Sequence, residues 1–121
     1  MPAVQWARLK ADVDYHIRRG AWYRVVQLTP RDVTLDVRGK HVAIPRAAVE
    51  IVPEPPLRWT VVPRPRNSVR LPQGWGAEYA VCPGCRERAH LIDRPVSLRC
   101  PKCNGLYDVA WNEPYLTMQI H

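Results

Sequence analysis

Four cysteines stand in two matched steps, Cys82-Pro83-Gly84-Cys85 and Cys100-Pro101-Lys102-Cys103, and the chain has no others. Each Cys-x-x-Cys turn aims two sulfurs at one point. Two such turns with 14 residues between them bring four sulfurs around a single cation. Cys82, Cys85, Cys100 and Cys103 are therefore the candidate metal ligands. An all-thiolate tetrahedron suits Zn2+ first and iron second. Four protein ligands also fill the coordination sphere, which points to a structural ion rather than a catalytic one with a position open to water. Disulfides are the poorer reading, because paired CPxC turns are wasted on them and nothing in the sequence suggests secretion. A redox Cys-x-x-Cys ordinarily needs one such pair beside a helix. His90 lies in the spacer and reads as a residue on the sheet surface.

The metal also answers an energetic need. Residues 78–121 form a stretch of 44 residues. Cores of about 40 residues usually fail without a staple. Bound zinc contributes on the order of 10 kcal/mol to folding in peptides of this kind. Loss of the ion is expected to unfold this module and leave the N-terminal one standing.

Charge divides the chain into three zones. Residues 1–56 carry nine basic and six acidic side chains, residues 57–77 carry four basic and no acidic ones, and residues 78–121 carry five of each. The formal net charge is +7. A divalent ion on four thiolates would lower it by two charges, which leaves the protein basic. Fifteen of the 18 cationic residues are arginine, whose planar fork suits phosphate. The middle zone holds Pro53, Pro55, Pro56, Pro63, Pro65 and Pro72 at and within its borders and reads as a semi-rigid connector. Within it, Trp59-Thr60-Val61-Val62 has the composition of a strand that adds to one of the modules.

The first zone reads as short strands. Ala21–Leu28 is rich in aromatic and β-branched residues, and Thr29-Pro30-Arg31-Asp32 is a turn. Val33, Leu35 and Val37 alternate with polar residues and share one face. Gly39-Lys40 turns into His41–Ile44, Pro45–Ala48 suits one tight helical turn, and Val49–Val52 closes the series. Trp6–Ile17 reads either as a short helix or as an edge strand running into a loop. In the last zone Glu78–Val81, Arg88–Ile92, Val96–Arg99 and Leu106–Trp111 flank the two cysteine turns as strands.

The order of strands and the turn at Ile44-Pro45-Arg46 resemble a small Src-homology-3-like β-barrel over about residues 10–53. The two CPxC turns with their flanking strands resemble a zinc ribbon over about residues 78–111. Asn104 stands where many such knuckles carry Gly, and Asn tolerates a positive φ. The expected fold is mainly β: a small barrel at 1–56, a basic Pro-rich connector at 57–77, and a zinc-ribbon module with a tail at 78–121.

No enzymatic constellation is present. The four histidines are scattered, neither serine sits in a nucleophile elbow, and no Gly-rich phosphate loop occurs. The chain has no apolar run long enough to span a bilayer and no basic-then-apolar leader pattern at Met1–Arg8, so a cytoplasmic protein without membrane contact or small-molecule substrate is expected. The resemblance to ribbon proteins of the transcription and translation machinery implies nucleic-acid contact by bases on the knuckles. The expected partner is therefore RNA or DNA, alone or in a larger assembly. Candidate contacts are Arg58, Arg64, Arg66, Arg70, Arg86, Arg88 and Lys102, with Trp59 and Trp75 as stacking platforms. The competing reading is a protein-interaction adaptor or small subunit, favoured by the charge balance of the last zone. The aromatic tail Trp111–Met118 either folds back on the barrel or docks on a partner.

Overall fold

The computed structural model describes residues 4–10, 15–64, 71–113 and 115–116. The chain is mainly β, with two five-stranded sheets, one of them curled into a half-barrel. The first sheet comprises β1 (Trp6–Leu9), β2 (Tyr23–Leu28), β3 (Asp32–Val37), β4 (Lys40–Pro45) and β5 (Val49–Val52). Its order is β4-β3-β2-β1-β5, and every pairing is antiparallel. The expected helical turn is a single 3-10 turn at Arg46–Ala48. β1 resolves the ambiguity at the N-terminus as a strand. It lies between β2 and β5 rather than at an edge.

Side-chain alternation positions these strands. Val33 and Leu35 in β3 and Ile44 in β4 are fully buried, while Asp32 is exposed. The register Val33↔Ile44 and Leu35↔Val42 stacks the apolar residues on one face. A bulge at Val26 shifts the β2–β3 register between Val25 and Gln27 and leaves Val26 facing solvent.

The second sheet comprises β6 (Arg58–Pro63), β7 (Glu78–Val81), β8 (Arg88–His90), β9 (Ser97–Arg99) and β10 (Leu106–Val109), in the order β8-β7-β6-β10-β9. Residues 58–63, read from the sequence as part of the connector, form its central strand. The start of β6 pairs in parallel with β10, at Asp108↔Arg58 and Val109↔Trp59. Its remainder pairs antiparallel with β7, from Thr60↔Val81 to Pro63↔Glu78.

β6 is buried on both faces, as its unbroken run Trp59-Thr60-Val61-Val62 demands. Trp59 and Val61 enter a core with Ala80, Cys82, Ala89, Cys100 and Val109. Val62 enters a second core with Tyr79, Val81 and the barrel residues Ala7, Leu9, Val33, Leu35 and Ile44. β7 divides in the same way, with Ala80 facing the cysteines and Tyr79 and Val81 facing the barrel. The barrel core is thus shared by both sheets. Gly20 marks how closely they meet: its φ is +81°, and a Cβ there would lie 2.5 Å from Val62 Cγ2.

The described part of the tail folds back, while Pro114, Thr117 and Met118 lie outside the described residues. Tyr115 and Leu116 lie in the shared core, and the Tyr115 hydroxyl donates to the Leu9 carbonyl while accepting from the Gly20 N–H. Burial raises the Tyr115 phenol well above its ordinary range, so it remains a donor. Arg8 sits at the centre of the same junction with only 4% of its surface exposed. Its guanidinium donates to Glu50 at 2.6 Å, to Glu113 at 3.0 and 3.2 Å, and to Thr60 at 3.1 Å. It lies between the rings of Trp22 and Tyr115, at 4.5 and 4.3 Å from their centroids. One side chain therefore ties β1, β5, β6 and the tail. Burial works against its charge, but the hydrogen bonds to Glu113 and the field of Glu50 and Glu113 hold the guanidinium above its ordinary range. Arginine alone has a planar fork able to serve several acceptors while stacked between two rings.

Two outcomes are expected. Arg8→Ala should lower unfolding free energy by roughly 3 kcal/mol, because it strips partners from two half-exposed carboxylates and empties an aromatic sandwich. Arg8→Lys should recover less than half of that. Urea unfolding followed by tryptophan fluorescence measures both. Gly20→Ala should also destabilise, by at least about 2 kcal/mol, since the strained φ and the Val62 contact act together.

Candidate metal centre

Two hairpins bring the cysteines together. The first cysteine turn joins β7 to β8 and the second joins β9 to β10. They repeat one local geometry. The Cys82 N–H donates to the Glu87 carbonyl, and the Arg86 N–H donates to the Cys82 carbonyl. The Cys100 N–H donates to the Gly105 carbonyl, and the Asn104 N–H donates to the Cys100 carbonyl. Arg86 and Asn104 follow the last cysteine of each turn and adopt left-handed φ values of 68° and 63°. Asn accepts that conformation readily, whereas an arginine there costs about 1–2 kcal/mol.

All four sulfur atoms lie within 4.8 Å of one another. The nearest pairs are Cys85–Cys100 at 3.4 Å and Cys82–Cys103 at 3.7 Å, each drawn from both turns. A tetrahedron with metal–sulfur bonds of about 2.3 Å has sulfur–sulfur edges of about 3.8 Å. The spacing fits such a cage and is far beyond the roughly 2.05 Å of a disulfide. Backbone N–H groups point at the sulfurs: Gly84 at Cys82, and Lys102 and Cys103 at Cys100, each at 3.4 Å.

The sulfurs are electrostatically unlike. Burial pushes the Cys82 thiol up to about 12 and also raises Cys85. At Cys100 burial acts in the same sense, but the Cys103 and Lys102 N–H groups and the neighbouring thiols outweigh it and bring the group down to about 7. Four ionised sulfurs at this spacing repel one another strongly, so a cation is the natural centre of the arrangement.

The sequence reading missed Tyr107. Its ring lies against Gly105 and its hydroxyl against Gly84, where added Cβ atoms would come to 2.6 and 2.9 Å. Desolvation, then the cysteine charges, raise its phenol above the ordinary value. The two small residues inside and just after the turns were the available signal.

Arg86 has partners within this chain. It was expected to meet phosphate, but its Nε donates to the Trp22 carbonyl at 2.8 Å and its guanidinium lies 4.6 Å from the Tyr23 ring centroid. Arg18 returns the contact by donating to the Arg86 carbonyl at 2.6 Å. The first cysteine turn is thereby latched to the barrel. Trp59 is corrected outright: it is wholly buried, and its indole N–H donates to the Leu98 carbonyl, so no base can stack on it.

The other expected contacts scatter. Arg64 donates to the Gly76 and Pro72 carbonyls, and Arg88 lies 5.8 Å from the Tyr79 ring centroid. Trp75 is half-buried and stacks on His90 at 5.7 Å. Arg58 and Lys102 are exposed. Arg66 and Arg70 lie outside the described residues. Among the described residues, no helix is long and apolar enough to cross a membrane.

No family model matches the chain, and no curated protein or solved structure matches it.

The shared core and the Arg86 latch change what removal of metal should do. Chelation should shift amide resonances not only at residues 78–111 but also at Trp22 and Tyr23. Two-dimensional NMR with and without chelator checks this. Unchanged barrel resonances would mean that the latch transmits nothing. Gly105→Ala should weaken metal retention more than Gly84→Ala does, because the Tyr107 ring and hydroxyl both lie at 2.6 Å from its added Cβ, against a hydroxyl alone at 2.9 Å for Gly84. Competition with a colorimetric chelator ranks the two.

Proposed function

We propose that this protein is a non-enzymatic accessory factor that holds one structural Zn2+ on Cys82, Cys85, Cys100 and Cys103 and binds nucleic acid, alone or within a ribonucleoprotein or transcription complex. Supporting the zinc-ribbon reading are the duplicated cysteine turns at the tips of two hairpins. Supporting the Src-homology-3-like reading are the strand order β4-β3-β2-β1-β5 and the 3-10 turn between β4 and β5. The metal supplies a cross-link between hairpins and no reacting position, since four thiolates saturate it. A cytoplasmic setting, where thiols stay reduced, suits such a site.

The observation that carries the nucleic-acid reading is the net charge of +7, supplied chiefly by arginine. Arg58 and Lys102 offer exposed charge, and Arg66 and Arg70 extend the acid-free stretch. Fluorescence polarisation with random RNA and DNA at two salt concentrations tests it. Each phosphate contact should contribute about −0.7 to −0.9 to the slope of log affinity against log salt. Combined Arg58→Ala, Arg66→Ala, Arg70→Ala and Lys102→Ala should reduce that slope by about 3. Absence of binding at low salt, or an unchanged slope, removes this reading. Metal analysis of reduced protein should find one zinc per chain.

A protein-interaction role has one observation in its favour. Ile92, Val96 and Leu106 of the second module are 62%, 79% and 56% exposed, in a zone whose basic and acidic residues balance. Pull-down with and without nuclease separates the two roles.

A further inference from the structure

We propose that the open edge of β5, together with the basic groove beside it, binds an extended acidic peptide segment of another protein. β5 is the last strand of the first sheet. Among the described residues nothing pairs with its outer side. The Lys10 N–H donates to the Ala48 carbonyl at 2.9 Å, which sets the alternation of the β1–β5 ladder. With Arg8↔Glu50 and Trp6↔Val52 in phase with that bond, Val49 and Ile51 turn their main-chain groups away from β1. The Val49 N–H is taken by the Arg46 carbonyl. Among the described residues the Val49 carbonyl and both main-chain groups of Ile51 take no partner, and they form a template for one added strand.

Charge selects what that strand carries. A groove of about 690 Å³ runs along this edge. Lys10, Arg31 and Arg46 line it, all three exposed. The Arg46 N–H donates to the Arg31 carbonyl at 2.8 Å, which fixes the two arginines as neighbours. Glu50 is the single acid in the lining, and Arg8 holds it at 2.6 Å. Carboxylates spaced along an extended chain would meet two planar forks and one ammonium. No aromatic ring lines the groove, so a nucleic acid would find no stacking platform there. The inference stands apart from the nucleic-acid reading, which uses other residues.

The test is binding of a fluorescein-labelled octapeptide of alternating Glu and Val to the full, metal-loaded chain. Polarisation should show binding that weakens with salt, and a Lys–Val peptide of equal length should not bind. Amide shifts should centre on residues 49–51. Arg31→Glu with Arg46→Glu should raise Kd at least about tenfold with the NMR spectrum otherwise preserved, since both side chains are exposed. N-methylation of alternate peptide amides should abolish binding. Failure of the Glu–Val peptide to bind, indifference to the charge reversal, or equal binding of the methylated peptide overturns the proposal. So does a random RNA or DNA oligonucleotide that shifts residues 49–51 while the peptide does not.

Discussion

Four sulfur atoms must occupy one small volume, and the rest of the second sheet is organised to let them. Neither hairpin could place its own pair opposite the other, because β8 and β9 are three-residue strands at the two edges of the sheet. β6 performs that task. It pairs in parallel with β10 at its start and antiparallel with β7 afterwards, so both hairpins hang from one strand with their cysteine turns at the same end. Fully buried Trp59 then anchors the far hairpin by its bond to Leu98. A metal ion held by these sulfurs would cross-link the hairpins effectively, because the loop it closes is already half-assembled by strand pairing.

β6 and β7 have a second consequence. Each sends alternate side chains to the cysteine core and to the barrel core, so these two paired strands form the partition between the two hydrophobic clusters. Arg8 and Arg86 reinforce it from opposite sides. Arg8 reaches out of the barrel to Thr60 and Glu113, and Arg86 reaches out of the metal turn to Trp22 and Tyr23. Such long arginine bridges impose geometry more than they add stability, since desolvation offsets much of the attraction. They set how one sheet sits on the other, where apolar contact alone is tolerant of sliding.

How legible this was depends on the range of the interaction. The alternation Val33, Leu35, Val37 and the turn at Thr29–Asp32 are local, and they placed β2 to β5 correctly. The cysteine spacing is a local signature repeated, and the sulfurs do converge. The parallel pairing of β6 with β10 joins residues about fifty positions apart, and no periodicity records a partner that distant. The Arg8–Glu113 pair spans 105 positions. Trp59 misled for a related reason: arginines before and after it suggested an exposed platform, but its own strand is apolar enough to be buried on both faces. An unbroken Trp-Thr-Val-Val run was the better guide than its charged neighbours.

Arginine itself explains why composition overstates solvent-facing charge. A guanidinium can be counted as solvent-facing charge only if its donors are not already committed. Arg8, Arg18, Arg64 and Arg86 donate to carbonyls or carboxylates of this chain, and Arg88 and Arg94 lie near the Tyr79 and Trp111 rings. Committed in this way they position backbone, as forks with several fixed donors do well and ammonium groups do poorly. Arg46 keeps one long bond, from Nη1 to the Thr29 carbonyl at 3.4 Å, and the other exposed cations left on the first sheet are Lys10, Arg24, Arg31, Arg38 and Lys40. The available field therefore lies more on the barrel than on the metal module, although the sequence placed its densest run of charge between them. Long-range attraction of a polyanion depends on the summed charge and survives this rearrangement. Recognition at close range depends on uncommitted donors, and among the described residues most of the exposed ones belong to the first sheet and its turns.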